Sequence, residues 1–226
     1  MVWRPLNKGL RSQFKRSILR RFKKMKGKTH MIIGAAAGAA VASYYSTETG
    51  IMLICSSIFG ALVPDIDHPK SKINQKILPI KNKVFRMIVY LLLGLALIYV
   101  NAKSGIKGFR LLGCILIITS LSHHRGFTHS LLGFIFFSTA IYVLLNQYGF
   151  VGVYIGFSIG YFSHLIADFI TNGGIELFYP WKKNMSFPIT IKTGGIGENI
   201  VLIIASIYFV YKFQFLIVFQ FLIGKV

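Results

Sequence analysis

The hydrophobic positions of this chain fall into long continuous runs rather than alternating stripes. Seven runs stand out, at about residues 31–46, 51–63, 87–101, 108–122, 130–145, 149–170 and 199–223. A helix that crosses a bilayer needs roughly 20 apolar residues, with a range of about 17–25. Several runs are shorter than that, and 51–63 is clearly short. Hydrocarbon offers no water to an open backbone, so helices are the expected element. The period-two pattern of a membrane barrel is absent, and no internal repeat is visible. The runs predict an all-α fold, a polytopic membrane helix bundle with five to seven spans, seven being the best estimate.

A different pattern precedes the first run. Leu6, Leu10, Phe14, Ile18, Phe22 and Met25 recur at spacings of three and four. Between them lie Arg4, Lys8, Arg11, Lys15, Arg16, Arg20, Arg21, Lys23, Lys24, Lys26 and Lys28, with no acid. That is a basic amphipathic helix, suited to lying on an anionic leaflet. Ala40-Val41-Ala42 has the small-x-small form of a signal-peptide cleavage site, but the basic stretch is too long and the following run too rich in Gly and Ala. The expected organisation is a membrane-surface segment over 1–28, a membrane bundle over 29–198 and a C-terminal membrane helix over 199–226.

Composition sharpens the class. Of 226 residues, 54% are hydrophobic and only 14% charged, against about 25% charged in soluble domains. The 26 Lys+Arg against 6 Asp+Glu give a net charge of +20. In a soluble protein that excess would point to nucleic acid. Here the apolar bulk makes anionic membrane lipids the expected partner and nucleic acid an unlikely one. Cys55 and Cys114 sit inside apolar runs, expected to be buried, and make no disulfide framework.

The basic residues also orient the chain. Cytoplasmic loops carry excess Lys and Arg. The N-terminus is therefore expected on the cytoplasmic side of a bacterial inner membrane, with a short outer turn near Ser46–Gly50 and a return at Pro64. The loop 65–86 holds Lys70, Lys72, Lys76, Lys81, Lys83 and Arg86, and 171–198 holds Lys182, Lys183 and Lys192. Both are expected inside, as is 123–129. Lys103 and Lys107, in a turn placed outside, run against this scheme, and Lys212 in the last run leaves that span less secure.

With six His and six acids in the chain, their placement is informative. His30, Asp65, Asp67, His68, His124, His129, His164 and Asp168 fall in four short segments, all at expected cytoplasmic helix ends. Ionisable groups beside hydrocarbon are costly and need a partner or a task. Imidazole and carboxylate ligate zinc, manganese or iron. His164 and Asp168, four apart, point the same way from one helix. Gly126 permits a bend between His124 and His129. So many ligands suit one or two divalent ions, with any surplus groups orienting the others. Taken singly, each has an ordinary alternative: a cap, a turn residue, a hydrogen-bonded pair. Arg125 suits either a substrate anion or a positive-inside anchor. Thr128 and Ser130 suit ligand contacts or helix capping. Gly194-Gly195-Ile196-Gly197 follows no strand and carries no phosphate-loop meaning.

At these residues the sequence resembles the YdjM-like family of prokaryotic membrane-bound metal-dependent hydrolases. The matching pieces are Thr29-His30, the stretch Leu62–Ser71 containing Pro64-Asp65-Ile66-Asp67-His68-Pro69, His124-Arg125-Gly126-Phe127-Thr128-His129-Ser130, and Gly160–Asp168. Thr171, Gly174, Leu177-Phe178 and Pro180 follow the last of these. Val63 stands where Leu is expected. The likeness spans about 29–181, so the basic N-terminus and the last apolar run look like additions. The resemblance implies a multi-spanning membrane protein with metal-dependent hydrolase activity and names no substrate.

Together these readings predict a membrane-embedded hydrolase in which metal-activated water attacks a phosphoester or phospholipid-like substrate at the cytoplasmic interface. The expected ligands are His30, Asp65, His68, His124, His129, His164 and Asp168. Asp65 or Asp67 would serve as general base, and Arg125 would hold an anionic group. Two rival classes are a transporter or ion channel with an interfacial metal site, and a non-catalytic anchor that recruits acidic partners through residues 1–28.

Overall fold

The computed structural model describes residues 25–67, 71, 82–123 and 125–223. Among the described residues there are seven α-helices, one for each apolar run: α1 (Gly27–Ala42), α2 (Thr47–Gly60), α3 (Lys83–Ser104), α4 (Lys107–Leu121), α5 (Leu131–Leu145), α6 (Val151–Phe169) and α7 (Ile196–Ile223). Short 3-10 turns cover Val63–Asp67, Phe127–His129 and Asn146–Tyr148. Among the described residues there is no strand, only isolated bridges between Thr171 and Ile191 and between Ile175 and Met185. The expected membrane-surface helix lies outside the described residues as far as residue 24.

Among the described residues four segments are long and apolar enough to cross a membrane: Thr47–Asp67, Lys83–Ser104, Leu131–Tyr148 and Ile196–Phe219. Helices α1 and α4, with 16 and 15 residues, are shorter. Helix α6 has 19 residues but gives up apolar density to Ser163, His164 and Asp168.

Helix α6 is the centre of the bundle because its sequence lets other backbones touch it. Gly152, Gly156 and Gly160 recur every four residues and so form one stripe. A Cβ at these positions would stand 2.5 Å from the Thr49 carbonyl oxygen, 2.1 Å from that of Leu53 and 1.8 Å from that of Ser57. No side chain fits, so α2 lies directly on the stripe. Lipid tails are as apolar as leucine, and close van der Waals packing is what holds such helices together. Helix α1 lies on the same part of α2 through Gly34 and Gly38, and Ser57 Oγ donates to the Gly34 carbonyl at 2.7 Å. Helices α3 and α4 form a hairpin about Gly105, whose φ of 72° closes α3, and they cross at Gly94 and Gly113. The core between these pairs is built from Ile115, Phe127, Phe157, Tyr161 and Leu165.

Helix α7 packs against α1 and is pinned at its start. The buried Glu198 carboxylate accepts from Lys26 N at 2.7 Å, from Thr29 Oγ1 at 2.9 Å and from Gly194 N. Beyond that clamp α7 presents Ile203, Ile204, Ile207 and Val210 outward. Cys55 and Cys114 are free and lie on exposed helix faces, not in the interior that their apolar surroundings suggested. In a membrane protein the outer face is itself apolar, so hydropathy alone does not separate the two.

Candidate metal centre

The stripe on α6 continues past its glycines. Positions 152, 156, 160, 164 and 168 form an i, i+4 row that winds slowly around α6, so the glycines meet α2 while His164 and Asp168, further along the row, are buried in the bundle. His164 is fully buried. Its Nδ1 lies 2.7 Å from the Ala61 carbonyl oxygen, at the end of α2. A carbonyl only accepts, so Nδ1 carries the proton and the Nε2 lone pair turns inward.

Helix α2 ends in the 3-10 turn Val63–Asp67, which brings Asp65 and Asp67 to the same end of the bundle. The next contributor is the turn 125–130. Arg125 takes a left-handed φ of 68°, which folds its backbone N–H onto Asp67 Oδ2 at 2.9 Å. Thr128 Oγ1 donates to the same oxygen at 2.9 Å and lies 3.2 Å from His129 Nδ1. Because the Thr128 proton goes to a carboxylate, its oxygen is the acceptor for His129 Nδ1–H. The chain His129 to Thr128 to Asp67 therefore sets the tautomer of His129, and its Nε2 lone pair also turns inward. Tyr161 Oη donates to the Thr128 carbonyl at 2.6 Å and ties the turn to α6.

The two inward nitrogens, His129 Nε2 and His164 Nε2, stand 3.3 Å apart. Asp168 Oδ2 is 3.6 Å from the first and 3.8 Å from the second. Asp65 Oδ1 is 3.7 Å from His129 Nε2. His30, in the first turn of α1, stacks on the His164 ring with centroids 3.8 Å apart. Its Nε2 lies 3.5 Å from Asp168 Oδ1. Among the described residues two trios meet metal-site spacing: His30, Asp65 and His164, and His129, His164 and Asp168. Both include His164, so they overlap in one cluster.

The residues fit a divalent ion. With metal–nitrogen bonds of about 2.0–2.1 Å, tetrahedral ligands stand roughly 3.3–3.4 Å from each other, close to the 3.3–3.8 Å seen here. Two facing lone pairs in a dry pocket repel unless a cation or proton lies between them. Among the described residues the buried His30 Nδ1 has no hydrogen-bond partner, and Asp168 Oδ1 has only the 3.5 Å pairing with His30 Nε2, an open demand of the kind a polar cluster normally satisfies.

Of the sequence candidates, His30, Asp65, His129, His164 and Asp168 converge. Asp67 stands one step back, receiving Arg125 N and Thr128. Arg125 directs its guanidinium to Asp168 Oδ2 at 3.3 Å and to the Gly174 carbonyl at 2.8 Å. His68 and His124 lie outside the described residues. Ser130 caps α5 by accepting from Gly133 N at 3.0 Å, whereas Thr128 serves the histidine, so the two hydroxyls divide the roles the sequence left open. Sequence reasoning passed over His123, Glu176 and Glu198. His123 Nε2 lies 2.8 Å from Glu176 Oε1, and Glu198 holds the turn that carries His30. The signal for the site's framework was the four-residue glycine repeat leading into His164 and Asp168.

These features define a polytopic membrane protein with a cluster of histidines and aspartates buried at one end of its helices. The model of the YdjM inner membrane protein family matches residues 25–224, and the chain belongs to that family. It is 33% identical to the uncharacterized protein YvsG of Bacillus subtilis, over 83% of this chain and 95% of that protein. It is 27% identical to the inner membrane protein YdjM of Escherichia coli, over 63% of this chain and 57% of that protein. No solved structure matches. The family match reaches past α7's described end, so the last helix belongs to the family's common extent and is not an addition.

Proposed function

We propose that the protein is a membrane-embedded metal-dependent hydrolase with one divalent ion, zinc, manganese or iron, at its buried centre. The observation that carries this reading is the pair of ring nitrogens His129 Nε2 and His164 Nε2, 3.3 Å apart at full burial with Asp168 beside both. Three protein ligands with a fourth position left for water is the pattern of catalytic rather than structural zinc. His129, His164 and Asp168 would hold the ion, which supplies Lewis acidity and a water nucleophile at neutral pH. Asp65 is the least buried carboxylate of the group, with 17% of its side chain exposed, and it acts as general base. Asp67 and Thr128 orient His129. Arg125 balances the charge of Asp168 and anchors it to the Gly174 backbone. His30 backs His164 and Asp168.

The basic flanks at 1–28, 65–86 and 171–198 support a cytoplasmic placement of this end of the bundle. A site at such a rim suits a phosphoester or lipid-like substrate. Transporters usually bind near the bilayer midplane, so a cluster at one end favours hydrolysis over transport. Purified protein is expected to carry about one equivalent of divalent metal by elemental analysis, and His164→Ala to weaken retention by at least roughly tenfold. Asp65→Asn is expected to keep the metal and lose turnover of chromogenic phosphoesters. Metal-free wild-type protein, or unchanged metal content in His164→Ala, would overturn the reading.

A further inference from the structure

The segment between α6 and α7 is not a slack connection. Ile175 and Met185 exchange backbone hydrogen bonds at 3.0 and 2.8 Å, Phe187 N donates to the Phe169 carbonyl at 2.9 Å, and Ile191 N donates to the Ile170 carbonyl at 2.8 Å. This backbone is held against the end of α6 and Ile175 is buried in the core, yet several of its large apolar side chains face outward. Trp181 is 79% exposed and Ile189 80%, with Phe178 and Phe187 about half exposed. Between Glu176 and Glu198 the chain has no acid and carries Lys182, Lys183 and Lys192. Phe178, Trp181, Lys182, Lys183 and Met185 together line a cleft of about 450 Å³.

Position decides what such a surface meets. The segment leaves the end of α6 and leads into α7 at Ile196, where a stretch long and apolar enough to cross a membrane begins, and a bilayer crossed by α7 would set it near the boundary between hydrocarbon and water. Aromatic rings favour that depth. Lysine stems lie along apolar neighbours while their ammonium heads seek anions. A soluble acidic partner would match the charge and leave the aromatic walls unused. A zwitterionic lipid would match the walls and leave the lysines without a preference. We infer that this cleft docks the headgroup of an anionic phospholipid, with its phosphate at Lys182 and Lys183 and its upper chain against Phe178, Trp181 and Met185. The inference stands apart from the hydrolase reading, because lipid bound here needs no metal.

The test uses the full chain with Trp3→Phe, which leaves Trp181 as the single indole of the two in the sequence. The protein is placed in phosphatidylcholine nanodiscs containing equal fractions of brominated-chain phosphatidylglycerol or brominated-chain phosphatidylcholine. Quenching of Trp181 is expected to be stronger with the anionic lipid. Titration of phosphatidylglycerol should show an apparent affinity that drops about fivefold for each of Lys182→Gln and Lys183→Gln. Lys192→Gln, outside the cleft, should leave it unchanged. Equal quenching by both lipids would reveal an ordinary interfacial belt and overturn the inference. So would the absence of quenching by either, which would mark a water-facing loop.

Discussion

Helix α7 meets the length and apolarity requirements for a span over Ile196–Phe219, and only 6% of its best window is buried within the protein. Helix α6 is not among the segments that meet them, yet it is packed on the α2 side by Gly152, Gly156 and Gly160 and carries His164 and Asp168. Both helices arise from apolar runs of similar appearance. The difference lies in what each face must satisfy. A lipid-facing helix needs only to be greasy, so α7 fills its surface with Ile, Val and Phe. A helix that meets other backbones and polar groups gives up apolar side chains, and its hydropathy falls because of its role. In this bundle the weakest hydropathy signal among the late helices marks the one that carries His164 and Asp168.

The comparison can be broken most sharply at Gly160. Its added Cβ would meet the Ser57 carbonyl at 1.8 Å, so Gly160→Leu must force α2 and α6 apart. We expect a loss of about 3 kcal/mol or more, read as a collapse of the thermal transition in detergent. A transition unchanged from wild type would mean that the stripe is not the close contact described.

A smaller effect is expected at Thr128, which touches the centre only through His129. Thr128→Val removes the acceptor for His129 Nδ1 and the donor to Asp67 while keeping the side-chain shape. Metal affinity should drop by roughly ten- to a hundredfold, measured by chelator competition, with helix content preserved. Retained affinity would show that the His129 tautomer is set by some other group.

The smallest effect belongs to the lipid-facing surface. Ile207 is 66% exposed on α7, so Ile207→Val should change stability by no more than about 0.5 kcal/mol. A large loss there would show that α7 has a protein neighbour on that face and would narrow the contrast with α6.

Much of the fold was readable in advance, for a physical reason. Continuous apolarity is a local property, so the run at 130–145 became Leu131–Leu145 once Ser130 capped it, and 149–170 became Val151–Phe169. The run at 51–63 is the instructive mismatch: its helix starts earlier, at Thr47, and stops at Gly60, where the chain tightens into the 3-10 turn that holds Asp65 and Asp67. The residues that cluster were conspicuous too, because ionisable groups are rare in so apolar a chain, and His30, Asp65, His129, His164 and Asp168 come together.

What no local pattern contained was the division of labour. Asp65 and Asp67 are two residues apart and chemically alike, yet one borders the centre and the other receives Thr128 and the Arg125 backbone. Arg125, expected to meet a substrate anion or to anchor the chain, also donates to the Gly174 carbonyl and to Asp168. Glu198 gained its meaning only from Lys26 and Thr29, at the far end of the chain. The amino-acid sequence alone determined that this is a helical membrane protein with a scarce, chemically capable set of histidines and acids, because burial of apolar runs and the cost of charge in lipid act residue by residue. Only the tertiary structure decided which nitrogen faces which, since hydrogen-bond direction and a separation of 3.3 Å depend on how helices distant in sequence come to rest against one another.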